Sequence, residues 1–315
     1  MINYNSKNWF EAIAHFKASY VIRRTMRMCL GMGAFAAFIT ACDWLLSSHP
    51  ELAQFNLRMG IEPAVFSLLG IFLSLMLVFR TNTSYDRWWE GRKQWGALVN
   101  QSRGLAVLFY SALGDEDRFR RRFFAKLLAA YVQSLSDHLR GIANHGAILS
   151  YSDDEEEAVL RVSHVPNRIV RDLYTHTELL YRDGRIDGFQ LNQFQAGAQA
   201  LLDIQGACER IRSTPIPFAH NFFIKLFIFA YLLLLPLVLA PIVGWWSILL
   251  TMFVAYALVG LEFISVEIEE PFGTDCNDLP TADLARKISA SVYEILAVEP
   301  DSQPAPAPAN YVVIS

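Results

Sequence analysis

Apolar and polar positions follow two different patterns along this chain. Three stretches are nearly free of charge: Met28 to Cys42, reaching Leu46 past Asp43; Pro63 to Phe79, between Glu62 and Arg80; and the long run between Lys225 and Glu262. A membrane-spanning helix needs roughly 20 apolar residues. The first stretch reaches that length only with Thr25 to Arg27 included, the arginine side chain snorkelling to one interface and Trp44 sitting at the other. The second begins at Pro63, which suits a first helical turn because no backbone donor is lost there. The third holds 36 residues between its bounding charges, and at 1.5 Å each they would reach about 54 Å, too long for one crossing. The segment PIVGWW at Pro241 to Trp246 breaks it, with Gly244 for the turn and tryptophans for an interface, so the run reads as a tight helical hairpin. Four spans are therefore expected.

Elsewhere the helical period takes over. Trp88, Trp95, Leu98, Leu105 and Phe109 recur at threes, fours and sevens behind Ser84, a candidate N-cap, and this helix is expected to continue the second span. Further amphipathic helices are predicted over 116–142, 167–181 and 189–212, the last two joined by the turn RDGRIDG, and over 282–296 behind a capping Thr281. Ser152 to Glu157 reads as an acidic start to a helix, and PDSQPAPAPAN near the end as an extended Pro-Ala segment. No strand pattern interrupts this, so the fold class is an all-α membrane protein with four transmembrane helices that continue into a cytoplasmic helical bundle.

Orientation follows from basic residues near the span ends. Lys17, Arg23, Arg24 and Arg27 precede the first; Arg80, Arg87, Arg92 and Lys93 follow the second; Arg210, Arg212 and Lys225 precede the third. The opposite loops are nearly bare, which places both termini and the middle region in the cytoplasm of a multi-pass inner-membrane protein. An ITAC sequence at the end of the first apolar run faintly resembles a lipoprotein cleavage site, but 27 residues including Glu11 come before that run, and a membrane span is the better reading. The resulting division is 1–83 for the N-terminal segment and first two spans, 84–213 for a cytoplasmic helical domain, 214–266 for the hairpin, 267–298 for an acidic link and helix, and 299–315 for a disordered tail.

Composition narrows the function classes. Hydrophobic residues make up 53% and charged residues 18%, with a net charge of −4. That leaves no basic footprint for nucleic acid. Cys29, Cys42, Cys208 and Cys276 are too scattered for a zinc ribbon or a disulfide framework, and the two in or beside an apolar segment read as small buried apolar groups. There is no HExxH, GxSxG or phosphate-binding glycine loop, so no enzyme class is indicated, and GMG at Gly31 to Gly33 lies inside a span. Seven histidines show no ligand spacing. His138 and His145, expected on one helix, could share a face, a surface or packing role being favoured over a metal site.

Three ordered motifs carry a resemblance. FRTNTSYDRWWEGRKQWG after the second span, STPIPFAH before the third and PFGTDCNDLP after the fourth together resemble the bestrophin family in its bacterial branch, over about Trp9 to Leu296. The resemblance implies a homopentameric ion channel passing small monovalent ions, with lipid and its own copies as partners and no cofactor. The second span would line a hydrophobic neck at Ile71, Leu75 and Phe79. These fall at i, i+4 and i+8, one helical stripe with rungs about 6 Å apart, although Leu68, Phe72 and Met76 form a rival face of equal apolar content. A second constriction would fall at Phe189, whose alternative role is the core of its helix. Calcium-activated relatives bind the ion with an acidic cluster after PFG, and Asp275 and Asp278 stand at matching positions. Thr274, Cys276 and Asn277 interrupt the cluster here, so capping of the link by these side chains is favoured over calcium.

The family includes anion-conducting and cation-preferring members. Glu267, Glu269 and Glu270 near the mouth would draw cations and Arg118 to Arg122 anions, if they face the path. Two other classes stay open: a membrane-anchored scaffold or sensor, and a secondary transporter.

Overall fold

The computed structural model describes residues 20–49, 63–152, 159–275 and 277–300. Among the described residues the chain forms nine helices and no strand: α1 (Tyr20–Ser48), α2 (Pro63–Ala112), α3 (Arg118–Leu139), α4 (Gly146–Leu149), α5 (Val165–Arg182), α6 (Gly188–Ser213), α7 (Phe218–Val243), α8 (Trp246–Glu269) and α9 (Thr281–Ile295). Four of these, α1, α2, α7 and α8, are long and apolar enough to cross a membrane. The expected continuation of the second span is present: α2 runs unbroken for 50 residues, about 75 Å at 1.5 Å per residue, so a hydrocarbon core of about 30 Å cannot hold all of it.

The described residues form two compact units, one from position 20 up to Arg87 together with Pro215–Glu269, the other of Trp88–Thr214 together with Glu270 to position 300. In the first, α1 packs against both α7 and α8, which pack on each other. Small residues allow this closeness. A Cβ on Gly33 would lie 2.7 Å from Met252 Sδ, and one on Gly70 would lie 2.7 Å from Tyr231 Oη, so the neighbouring side chains sit tight against both glycines. Ser74, one turn after Gly70, is exposed and donates to the Gly70 carbonyl at 2.8 Å. Thr40 and Ser247 hydroxyls meet at 2.7 Å, both buried. The hairpin turn falls at Gly244, whose φ of +56° is the left-handed geometry that favours glycine. The outer surface is apolar, with Phe38, Phe253 and Trp246 each about two-thirds exposed, the inverse of a water-soluble bundle.

In the second unit the later half of α2 contributes Trp95, Leu98, Leu105 and Phe109 to a core completed by α3, α5, α6 and α9. The Phe109 ring stacks on Phe124 at 3.9 Å and on Phe194 at 4.4 Å. Tyr131 donates to the Leu201 carbonyl at 2.8 Å, which satisfies its buried hydroxyl. Burial pushes the neighbouring Cys208 thiol up to about 12, as expected of an inert, buried cysteine. The RDGRIDG joint is a turn with Gly184 at φ +65°, and Asp187 then opens α6 with a full capping box against Gln190. The acidic stretch Ser152 to Glu157 lies outside the described residues from position 153 onward, as does the Pro-Ala segment from 301.

Two sequence expectations fail for one reason. Ser84 is no N-cap: it lies fully buried within unbroken α2 and accepts a hydrogen bond from Arg80 Nη1 at 3.1 Å. Thr281 is the first helical residue of α9 behind Pro280, and its buried hydroxyl accepts from Ser136 Oγ at 3.0 Å. Both hydroxyls satisfy another element's side chain or a buried charge, which outcompetes the local capping geometry that the sequence pattern suggests.

Truncating Phe109→Ala removes a ring stacked on two others and should cost about 3–5 kcal/mol. Thermal melting of the detergent-solubilised protein should therefore drop by several degrees or more, whereas exposed Phe119→Ala should leave it unchanged.

Candidate functional site

The site is built on α2. Phe66, Leu73, Leu77, Arg80 and Ser84 recur at helical spacing on one narrow face and are each 5% exposed or less. At about 100° per residue the stripe Ile71, Leu75 and Phe79 lies roughly 180° from that face. Its three residues are 67%, 52% and 61% exposed. The rival stripe starts on the same face and turns to the flank: Leu68 and Phe72 are 66% and 49% exposed, the Phe72 ring lies 6.3 Å from Phe227, and Met76 packs against the core. The two stripes, equal in sequence, are unequal in the fold. Phe189, in the other unit, is 83% exposed in the first turn of α6; the alternative of a core residue is overturned, because the inward positions of that helix are taken by residues such as Phe194 and Leu201.

Directly behind the last rung lies a charge cluster. The fully buried Arg80 places Nη2 2.6 Å from Glu269 Oε2 and Nε 3.8 Å from Glu262 Oε2. Glu269 Oε1 accepts the Ile216 backbone N–H at 3.0 Å, and the Glu269 carbonyl accepts from Arg87 Nε at 3.1 Å. Lys225 Nζ stands 3.9 Å from Glu262 Oε1. At the same end, the Arg24 guanidinium lies 4.9 Å over the Phe263 ring. Glu269, expected as an acidic group near a mouth, is instead buried against Arg80, and Arg121 of the basic run is buried against Asp115 and the Leu113 carbonyl. Sequence reasoning did not find this cluster. A signal existed: Glu262 and Glu269 are seven apart, hence on one face of a helix, and Arg80 is the charge that ends an apolar run.

Residues 1–294 match the family described as Bacterial/Fungal Bestrophin protein. The chain belongs to the bestrophin family. It is 33% identical over 281 residues to a voltage-dependent anion channel-forming protein of Mesorhizobium japonicum, covering 89% of this chain and 87% of that one. A voltage-dependent anion channel-forming protein of Nostoc is 30% identical over 300 residues, 94% of each chain. Among solved structures, a bacterial bestrophin homologue from Klebsiella pneumoniae superposes with a TM-score of 0.77 at 25% identity, over 87% of this chain and 99% of that one.

The bestrophin motifs turn out to be physically interlocked. STPIPFAH meets the α8 end through the Ile216 to Glu269 hydrogen bond, and FRTNTSYDRWW meets it through Arg80 and Arg87. In the other unit, Trp88 Nε1 donates to the Asn277 carbonyl at 3.1 Å. A Cβ on Gly91 would come within 3.2 Å of both Phe272 and Pro271, so EGR and PFG are in contact. The acidic link closes on itself: Asp278 Oδ2 accepts the Asp275 backbone N–H at 2.6 Å and lies 2.5 Å from where a Gly273 Cβ would be. Asp278 is buried while Asp275 is exposed. Asp278 thus holds its own loop through Oδ2, the capping role that the sequence favours.

His138 also departs from expectation. Its helix ends at Leu139, and His145 turns instead to the Val162 carbonyl at 2.9 Å. The residue that His138 meets is His164, ring centroids 4.3 Å apart, with Glu209 Oε1 3.3 Å from His138 Nε2 and 3.0 Å from His164 Nε2. Burial, then the neighbouring His164, hold the His138 pKa below the ordinary histidine value.

Glu269→Gln leaves a buried guanidinium without its close partner and should cost about 3–5 kcal/mol, read as a large fall in melting temperature or loss of the assembled peak on size exclusion. Glu270→Gln, on the exposed next residue, should change neither.

Proposed function

We propose that five copies of this chain surround an axis and conduct small monovalent anions passively, with Ile71, Leu75 and Phe79 forming the narrow neck. One observation carries the reading: on a helix whose opposite face is fully buried, the exposed apolar stripe is the one that the family resemblance selects. Five such stripes would stack three apolar rings about 6 Å apart, where an ion must lose water and slight narrowing dewets the path. Phe189, exposed beside the capped turn, supplies the second constriction. The anion preference rests on relatives that are named anion channel-forming proteins.

The setting proposed is the inner membrane with both termini cytoplasmic. Supporting this, Arg24, Arg80 and Lys225, which lie toward the basic ends of three spans, gather at one end of the first unit. Calcium is not required in this reading, since Asp278 already serves its own loop.

The stripe continues past the neck through Asn82 to Asp86, both exposed. A negative charge there opposes anions, so Asp86→Asn should increase anion preference. Purified protein in planar bilayers under a KCl gradient should reverse toward the chloride potential, Phe79→Ala should raise conductance severalfold or lower selectivity, and Phe253→Ala, on the outer surface of α8, should do neither. Reversal toward the potassium potential would overturn the anion assignment; unchanged currents in Phe79→Ala and Ile71→Ala would overturn the neck.

A further inference from the structure

We propose that His138, His164 and Glu209 form a binding site for a borderline divalent transition ion of the zinc type, in the unit that does not contain the neck. The three side chains come from separate elements: His138 from the last turn of α3, His164 from the N-cap of α5 and Glu209 from α6. Their potential ligand atoms all lie within 4.8 Å of one another. A tetrahedral ion with ligands at about 2.0–2.1 Å has ligand-to-ligand edges of about 3.3 Å. The two observed nitrogen-to-oxygen edges are 3.0 and 3.3 Å, so an ion fits with little rearrangement. Two imidazoles and a carboxylate suit zinc, and magnesium or calcium, which prefer all-oxygen shells, much less.

The site is reachable and incomplete in the manner of an open metal site. The three side chains are 27%, 29% and 33% exposed, which leaves a fourth position for water or another ligand. A supporting shell exists: Gln205 Nε2 donates to Glu209 Oε1 at 3.0 Å and to Asn167 Oδ1 at 2.6 Å. Glu209 Oε1 therefore faces three nitrogens, more than its two lone pairs accommodate, whereas an ion would take over the two histidines. Arg212, a cation beside His138, is held by donation to the His138 carbonyl at 2.7 Å.

His164 has a second task, because its Nδ1 accepts the Asn167 N–H at 3.3 Å as the cap of α5. That puts its proton on Nε2, facing Glu209. An ion on Nε2 moves the ring proton to Nδ1 and ends the cap, so loading exchanges one long hydrogen bond for a tie among the ends of three helices.

The test uses tag-free full-length protein in detergent, stripped with chelator and dialysed, then titrated with ZnCl2 by calorimetry and with CoCl2 by visible absorption. One ion per chain is expected, with the intense Co2+ bands of a four-coordinate nitrogen and oxygen site, unaffected by excess Mg2+. Glu209→Gln and His138→Gln, which leave the α5 cap in place, should each weaken binding by about tenfold or more and remove the Co2+ bands; His145→Gln should change nothing. No Co2+ spectrum in the unsubstituted protein, or binding that survives both ligand substitutions, would overturn the site.

Discussion

Arg80 sits fully buried at the foot of an apolar run, and burying an unpaired guanidinium costs several kcal/mol even after relaxation. That penalty is offset only when α2 is turned so that Arg80 meets Glu269 at 2.6 Å and Glu262 beyond it. Rotation of the helix is thereby fixed by charge. Leu73 and Leu77 follow Arg80 to the inside, and Ile71, Leu75 and Phe79 are left outside. Van der Waals packing alone would not choose between apolar stripes of equal content, because lipid tails are as apolar as leucine.

The same reasoning explains why the three bestrophin motifs occur together. The first two converge on the end of α8, where Glu269 accepts from Arg80 and Arg87 of one and from the Ile216 amide of the other, and the first also meets the third through Trp88 and the Asn277 carbonyl. Removing one partner leaves a buried donor or acceptor unmet, which costs more than the contact itself contributes. Short, separated sequence signatures are the expected trace of such mutual dependence.

Much of the fold was legible because membrane and helix periods are read from local sequence. The four spans, the hairpin at Gly244, the continuation of α2 and the turn before α6 all follow from residues within one helical turn of each feature. What was not legible depends on which groups burial brings together. Ser84 and Thr281 look like caps until Arg80 and Ser136 claim their hydroxyls. His138 looks paired with His145 on spacing, yet tertiary packing brings His164 and Glu209. The stripe at Ile71, Leu75 and Phe79 was legible only as one of two faces, and the distinction comes from burial contributed by α7.

The buried cluster also bears on the sign of the conducted ion. The cluster is rich in cations, since Arg80, Arg87 and Lys225 gather about Glu262 and Glu269, with Arg24 at the same end. A neck of apolar side chains of the kind proposed favours neither sign by itself, and exposed charges within about a Debye length of 8–10 Å decide. Asp86, one helical turn beyond Asn82 on the same stripe, is such a charge, and it opposes anions. In the proposed channel, anion preference therefore requires basic groups to outweigh Asp86 along the path, while the apolar stripe would set how readily any ion passes.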